Sequence, residues 1–239
     1  MKKYLSVFEM ITRSSIYKIL LTLLGMMVVE ASFFYNTMQH AGGILLEEYI
    51  DQSNFTRIFK IAYIVVTIVL ILPGMNIGST QSYTLKRLRV KEKYVFWLQV
   101  LYNFFAYILL WGAQLAVVFG CVAVYQMHMP DAVLWTNQSM LLIFYKNAFL
   151  YSLLPLESLA GWFVLGVTGI MSALATAEFT RLQRKGKFGF ELLFLVATAM
   201  IYFPRELSYE ISFPIFVIVV LFLVMATRWV KDRGGDKHE

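Results

Sequence analysis

Residues Tyr94 to Tyr125 read YVFWLQVLYNFFAYILLWGAQLAVVFGCVAVY. The run holds no Asp, Glu, Lys or Arg across 32 residues, and its amide side chains are Gln99, Asn103 and Gln114. As one helix it would extend about 48 Å, against about 30 Å of bilayer hydrocarbon. It therefore reads as a membrane span that either tilts steeply or projects beyond the membrane at one end. Aromatic residues crowd its first half: Tyr94, Phe96, Trp97, Tyr102, Phe104, Phe105 and Tyr107. Some of them suit an interfacial belt.

The rest of the chain agrees with that reading. Of its 239 residues, 59% are hydrophobic and 15% charged. A soluble domain carries roughly 25% charged residues, so this chain has too little charge to cover a water-facing surface. Its mean hydropathy is +0.65. The composition predicts an all-α integral membrane protein. The formal charge is +6, but the cations sit at the ends of apolar runs, where membrane anchoring needs them. Nucleic acid is not an expected partner. The single cysteine, Cys121, lies inside an apolar run and reads as a small packed or lipid-facing residue. The N-terminus lacks the pattern of a cleaved signal peptide.

A crossing helix needs about 20 apolar residues. Six candidates meet that need: Ile16 to Tyr35, Ile61 to Ile77, Tyr94 to Tyr125, Ser158 to Ala177, Phe188 to Phe203 and Ile211 to Val230. They define a six-span domain over residues 16–230, followed by a polar tail over 231–239. The apolar stretch Met140 to Leu156 is interrupted by Lys146, Asn147 and Pro155, and reads as re-entrant or interfacial. Pro73-Gly74 is the one candidate break within a span.

Charge then sets the orientation. Lys2, Lys3, Arg13 and Lys18 flank the first span on one side, and Lys86 to Lys93 lie between spans two and three. Arg181, Arg184, Lys185 and Lys187 lie between spans four and five, and Arg228, Lys231, Arg233 and Lys237 follow span six. The alternate segments carry Glu47, Glu48 and Asp51, then Asp131, then Arg205, Glu206 and Glu210, and their few cations, Arg57, Lys60, Lys146 and Arg205, are far fewer than those of the first set. By the positive-inside rule both termini are expected in the cytoplasm.

Residues 1–15 have a pattern of their own. Tyr4, Val7, Phe8 and Ile11 fall at i, i+3, i+4 and i+7, with Lys2, Ser6, Glu9 and Arg13 opposite. That predicts an amphipathic helix lying in the interface. Ser14-Ser15 would then turn and cap the chain into the first span. In span four, Gly169, Ala173 and Ala177 repeat every four residues, spacing that suits close helix packing within the chain or at a subunit interface.

Catalytic constellations are missing from the sequence. His40, His128 and His238 are far apart, and no metal site or other resident cofactor is expected. No Gly-rich Lys-Ser/Thr phosphate loop is present, so the chain is not expected to hydrolyse ATP itself, nor to be an enzyme. Buried ionisable and amide groups are the default suspects in a membrane protein. Glu30, Gln99 and Asn103 are the candidates for a path or a gate. For Glu30 the competing reading is a carboxylate near the outer interface, satisfied by a neighbouring helix.

The loop between spans two and three has a pattern beyond its charge. In Tyr83 to Trp97, YTLKRLRVKEKYVFW, Thr84 can cap a short helix, and Leu85 and Leu88 then share a face. A solvated loop has no use for an apolar pair, whereas a helix seated in a partner's groove does. The order of parts resembles the membrane subunit of type-2 ABC exporters, the ABC-2 permease family. That resemblance implies that residues 1–15 form an elbow helix. It further implies that Thr84, Leu85, Arg87, Leu88 and Arg89 belong to a cytoplasmic coupling helix docking on a separate ABC ATPase subunit. ATP and Mg²⁺ would be held by that partner. The permease would pair with a second permease chain in the bacterial cytoplasmic membrane and export an apolar or amphipathic cargo such as a peptide. The group's outer hairpin before span six has no room between Pro204 and Ser212. A secondary transporter or channel without an ATPase, or a membrane scaffold, is the alternative class.

Overall fold

A computed structural model describes residues 2–40, 46–75, 92–128, 137–156 and 159–184, together with Leu192, Val196 and Phe203. Every regular element among these residues is helical. In chain order they are α1 (Lys2–His40), α2 (Leu46–Gln52), α3 (Phe55–Met75), α4 (Glu92–His128), α5 (Asn137–Lys146), α6 (Ala148–Leu153) and α7 (Leu159–Arg184). Four of them, α1, α3, α4 and α7, are long and apolar enough to cross a membrane. The chain is thus a multi-pass membrane protein. The fifth and sixth candidate spans lie outside the described residues apart from Leu192, Val196 and Phe203. So do Thr84, Leu85, Arg87, Leu88 and Arg89, and the tail.

Cross-helix contacts fix how the four long helices run. On α1 and α4, Ser15 meets Tyr102 and Glu30 meets Gln114. Both pairs ascend in sequence, so the two helices are parallel. On α4 and α7, Gln99 meets Arg184, Asn103 meets Thr176, and Trp111 meets Trp162. One sequence ascends while the other descends, so these helices are antiparallel. Tyr63 of α3 bonds Ser172 of α7 and packs on Tyr107 of α4, which places α3 in the same bundle.

The largest departure from expectation is α1. It runs unbroken for 39 residues, about 58 Å, through Ser14 and Ser15. The expected turn there does not form. No Gly or Pro lies between Lys2 and Ile19 to interrupt the ladder of backbone bonds. The Ser15 hydroxyl is also spent elsewhere, since it donates to the Tyr102 hydroxyl at 3.0 Å. Phe8 packs edge-on against the same Tyr102 ring, 6.2 Å between centroids. The side chains of Tyr4, Val7 and Ile11 fall outside the described residues.

Other boundaries shift for readable reasons. α3 starts at Phe55, six residues before the expected span, because Ser53 and Asn54 make a tight link from α2. Asn54 takes φ 57, a left-handed conformation that asparagine tolerates better than most residues. The expected break at Pro73-Gly74 does not form among the described residues, since α3 runs through both to Met75. α7 continues seven residues past Ala177, to Arg184. The 140–156 stretch does not cross. It forms two short helices of ten and six residues, α5 and α6, separated at Asn147. The Asn147 side chain accepts from the backbone amides of Phe149 and Leu150 and donates to Asp51 at 2.8 Å, so it caps α6 and ties it to α2. Near the same end, the rings of Phe34, Tyr49, Phe55 and Tyr125 interlock α1, α2, α3 and α4.

If Ser15 lay at a turn, proline would be welcome there as a first helical residue. In a continuous helix it is not. Ser15→Ala should cost about 1 kcal/mol through the lost bond to Tyr102. Ser15→Pro should cost about 3 kcal/mol more. Thermal unfolding followed by circular dichroism in detergent checks both. Equal stability of the two variants would restore the turn.

Candidate functional site

The buried polar groups gather in three places along the bundle. The first is a ladder of hydroxyls on α7. Thr168, Ser172, Thr176 and Thr180 repeat every four residues and are all buried. Each donates its proton to the carbonyl one turn back, Thr168 to Val164, Ser172 to Thr168, Thr176 to Ser172 and Thr180 to Thr176, at 2.7–2.8 Å. Their oxygens are then left to accept. The Tyr63 hydroxyl donates to Ser172 at 2.7 Å, and the Asn103 amide donates to Thr176 at 2.8 Å and to the Ala173 carbonyl at 3.4 Å. Thr67 donates to the Tyr63 carbonyl, so the Tyr107 hydroxyl donates to Thr67, at 2.9 Å. The Tyr63 and Tyr107 rings lie 5.3 Å apart at 31°. Three helices are joined without one unmatched hydroxyl in this seam.

The second place is a collar at the start of α4. Arg184 donates to the Gln99 side-chain oxygen at 3.0 Å. Arg181 pairs with Glu178 at 2.7 Å and stands 5.8 Å from the Phe96 ring centroid. Ser15 and Phe8 of α1 meet Tyr102, three residues after Gln99. The first turns of α4 are therefore fastened to both α1 and α7.

The third is Glu30. It continues the buried stripe of α1, Ile19, Leu23, Met26, Glu30 and Phe34, and is itself fully buried. The Gln114 amide donates to its Oε2 at 3.0 Å. Oε1 of Glu30 and Oε1 of Gln114 find no protein partner among the described residues. Cys121, also buried, follows two turns further along α4. The expectation of a neighbouring helix answering Glu30 is thus met by Gln114, which answers half of it.

The structure does not gather Glu30, Gln99 and Asn103 into one path. Gln99 belongs to the collar, Asn103 to the seam, and Glu30 to the α1–α4 contact. Asn103 and Gln114 alone are separated by about 16 Å along α4. Gly169, Ala173 and Ala177 are packed within the chain. Ala173 and Ala177 are fully buried, and a Cβ on Gly169 would lie 3.9 Å from the Phe104 ring. The hydroxyl ladder lies one residue away from that small-residue row. Its signal, Thr or Ser at every fourth position from 168 to 180, was present in the sequence. Among the described residues no cluster of three His, Cys, Asp or Glu could hold a metal ion.

No protein-family model, curated protein or solved structure matches the chain.

Gln114→Leu removes the one donor that Glu30 has among the described residues. It should lower stability by about 1–3 kcal/mol, the cost of a buried group left unpaired. Adding Glu30→Leu should recover most of that loss. Unfolding of the two single variants and the double variant in mixed micelles gives the coupling. Additive losses would show that the two side chains do not interact.

Proposed function

We propose that this chain is the permease subunit of an ATP-driven exporter of the ABC-2 type. A second permease chain and separate ABC ATPase subunits would complete it, with ATP and Mg²⁺ held by the ATPases. The observation that carries the reading is the collar at the start of α4. The cationic segment Lys86 to Lys93 leads directly into that helix. Six residues after Lys93, Gln99 is tied to α7, and three residues later Tyr102 is tied to α1. A push delivered at residues 84–91 by a cytoplasmic motor therefore enters three helices together. The α4 helix is 37 residues long and carries the displacement along its whole length.

The charge pattern supports the orientation. The start of α4, the end of α7 and the start of α1 share one end of the bundle. That end holds Arg13, Lys18, Lys93, Arg181 and Arg184, and the positive-inside rule makes it cytoplasmic. Glu48 and Asp51 of α2 lie at the other end. An apolar or amphipathic cargo, such as a peptide, suits the aromatic and methionine content of the intramembrane faces.

Two experiments bear on this. Leu85→Ala with Leu88→Ala should insert normally, yet release the ATPase on co-purification and abolish transport, since each buried Leu contributes about 1.5–3 kcal/mol. A double variant that retains a fully active ATPase would remove the coupling role. Separately, a cysteine replacing Asp131 should react with an impermeant external reagent, and one replacing Lys91 should not. Labelling at residue 91 from outside would invert the topology.

A further inference from the structure

A cavity of about 220 Å³ lies between α3, α4 and α7, beside the hydroxyl seam. Its walls are aromatic: Phe59 and Tyr63 from α3, Phe104, Tyr107 and Trp111 from α4, and Trp162 from α7. Phe203 closes one side, packed against Phe59 with centroids 5.1 Å apart. Gly166 opens another, because a Cβ there would meet nothing within 4 Å.

The polar atoms in these walls are already engaged. Tyr63 donates to Ser172, Tyr107 to Thr67, and the Trp111 indole to the Leu153 carbonyl at 2.9 Å. Thr168 and Ser172 donate to their own helix. A water molecule needs two to four polar partners, and this cavity offers it few. An apolar cavity of about 150 Å³ stays dry and takes up benzene, so a larger one has room for a second ring. The wall rings meet one another edge-on or tilted, Trp111 and Trp162 at 77°, and present faces and edges to an aromatic guest. A rigid ring loses little internal freedom on entry, whereas a flexible acyl chain loses several rotors. Ile108 and Trp162 on the rim are partly exposed and Phe163 beside them is largely so. An apolar molecule dissolved in a bilayer would approach the cavity from that side.

We propose that this cavity is a binding site for a compact, rigid apolar molecule of about two fused rings, taken directly from the membrane. Binding of this kind needs no ATPase. It goes beyond the exporter reading and stands or falls separately from it.

Aminonaphthalene, a two-ring fluorophore, is the probe. It is titrated into the purified full chain in detergent, and its emission is read on excitation of the tryptophans, two of which line the cavity. Gly166→Leu fills the open space, and Gly166→Ala adds one methyl to it. Gly112→Leu is the control, because Gly112 is exposed on α4 and a Cβ there also meets nothing within 4 Å. All three replace a helical glycine, which raises helix propensity and favours folding. The native chain and Gly112→Leu should show the same saturable signal. Gly166→Ala should bind about threefold more weakly, and Gly166→Leu at least about tenfold more weakly. Naphthalene should displace the probe and oleic acid should not. Unchanged binding in both Gly166 variants, equal loss in Gly112→Leu, or displacement by oleic acid as readily as by naphthalene would each overturn the proposal. Probe binding by a native chain with which no ATPase co-purifies would defeat the exporter reading alone.

Discussion

Inside hydrocarbon no water is available to complete a hydrogen bond, and that constraint shapes the α3–α4–α7 contact. Each unsatisfied polar group there costs several kcal/mol. A serine or threonine on a transmembrane helix meets the constraint by donating to the carbonyl one turn back. α7 does this four times in succession. The donation leaves a row of oxygen acceptors along one edge of the helix. Donors on neighbouring helices can use them without carrying any further polar demand into the membrane. Tyr63 and Asn103 are those donors. The result is a polar contact among three helices that is internally complete and whose outer surfaces are aromatic and aliphatic.

The three polar groupings differ in what they ask of their surroundings. The seam is satisfied and rigid. The collar is charged and lies at the bundle end, where Arg184 reaches the Gln99 amide and Arg181 the Glu178 carboxylate. Measured intramembrane hydrogen bonds average about 0.6 kcal/mol, so the collar adds a modest energy while tying the first turns of α4 to both α1 and α7. Glu30 is the exception. With one oxygen accepting from Gln114 and one without a partner, it is the single carboxyl of the α1–α4 contact whose demand the described protein groups leave unmet.

Much of the fold could be read from charge alone. The third span is expected at 94–125, and the helix found there runs over Glu92–His128, only a few residues beyond the uncharged run at either end. Charge misled at the end of α7. Arg181 and Arg184 look like the start of a loop, yet the helix runs through them. Glu178, Phe96 and Gln99 receive them; Glu178 is a local i,i+3 partner, but Phe96 and Gln99 lie on another helix and are invisible in a local reading. The amphipathic pattern of residues 1–15 also misled. It describes which face is apolar, but whether the helix stops at Ser14-Ser15 depends on Tyr102, 87 residues away. The row Gly169, Ala173 and Ala177 was legible as a packing surface. The ladder beside it was not, since its use depends on which donors α3 and α4 bring.

A ladder of equal steps has a further consequence. Its acceptors repeat every four residues, so the hydrogen bonds from Tyr63 and Asn103 would find similar oxygens if α7 slid by four residues, about 6 Å, and rotated by about 40°. The seam therefore holds the helices together without fixing their register. Register has to come from contacts that do not repeat. Phe104 fits against Gly169, and one turn away from Gly169 the ring would face Leu165 or Ala173. Trp111 bonds Leu153 and packs on Trp162 at one end of the contact, while Arg184 reaches Gln99 at the other. Between those two fixed ends the helices are held by interchangeable hydroxyls. Resistance to sliding is thus concentrated in the aromatic cavity wall and the collar, and a force applied at the start of α4 meets the collar first.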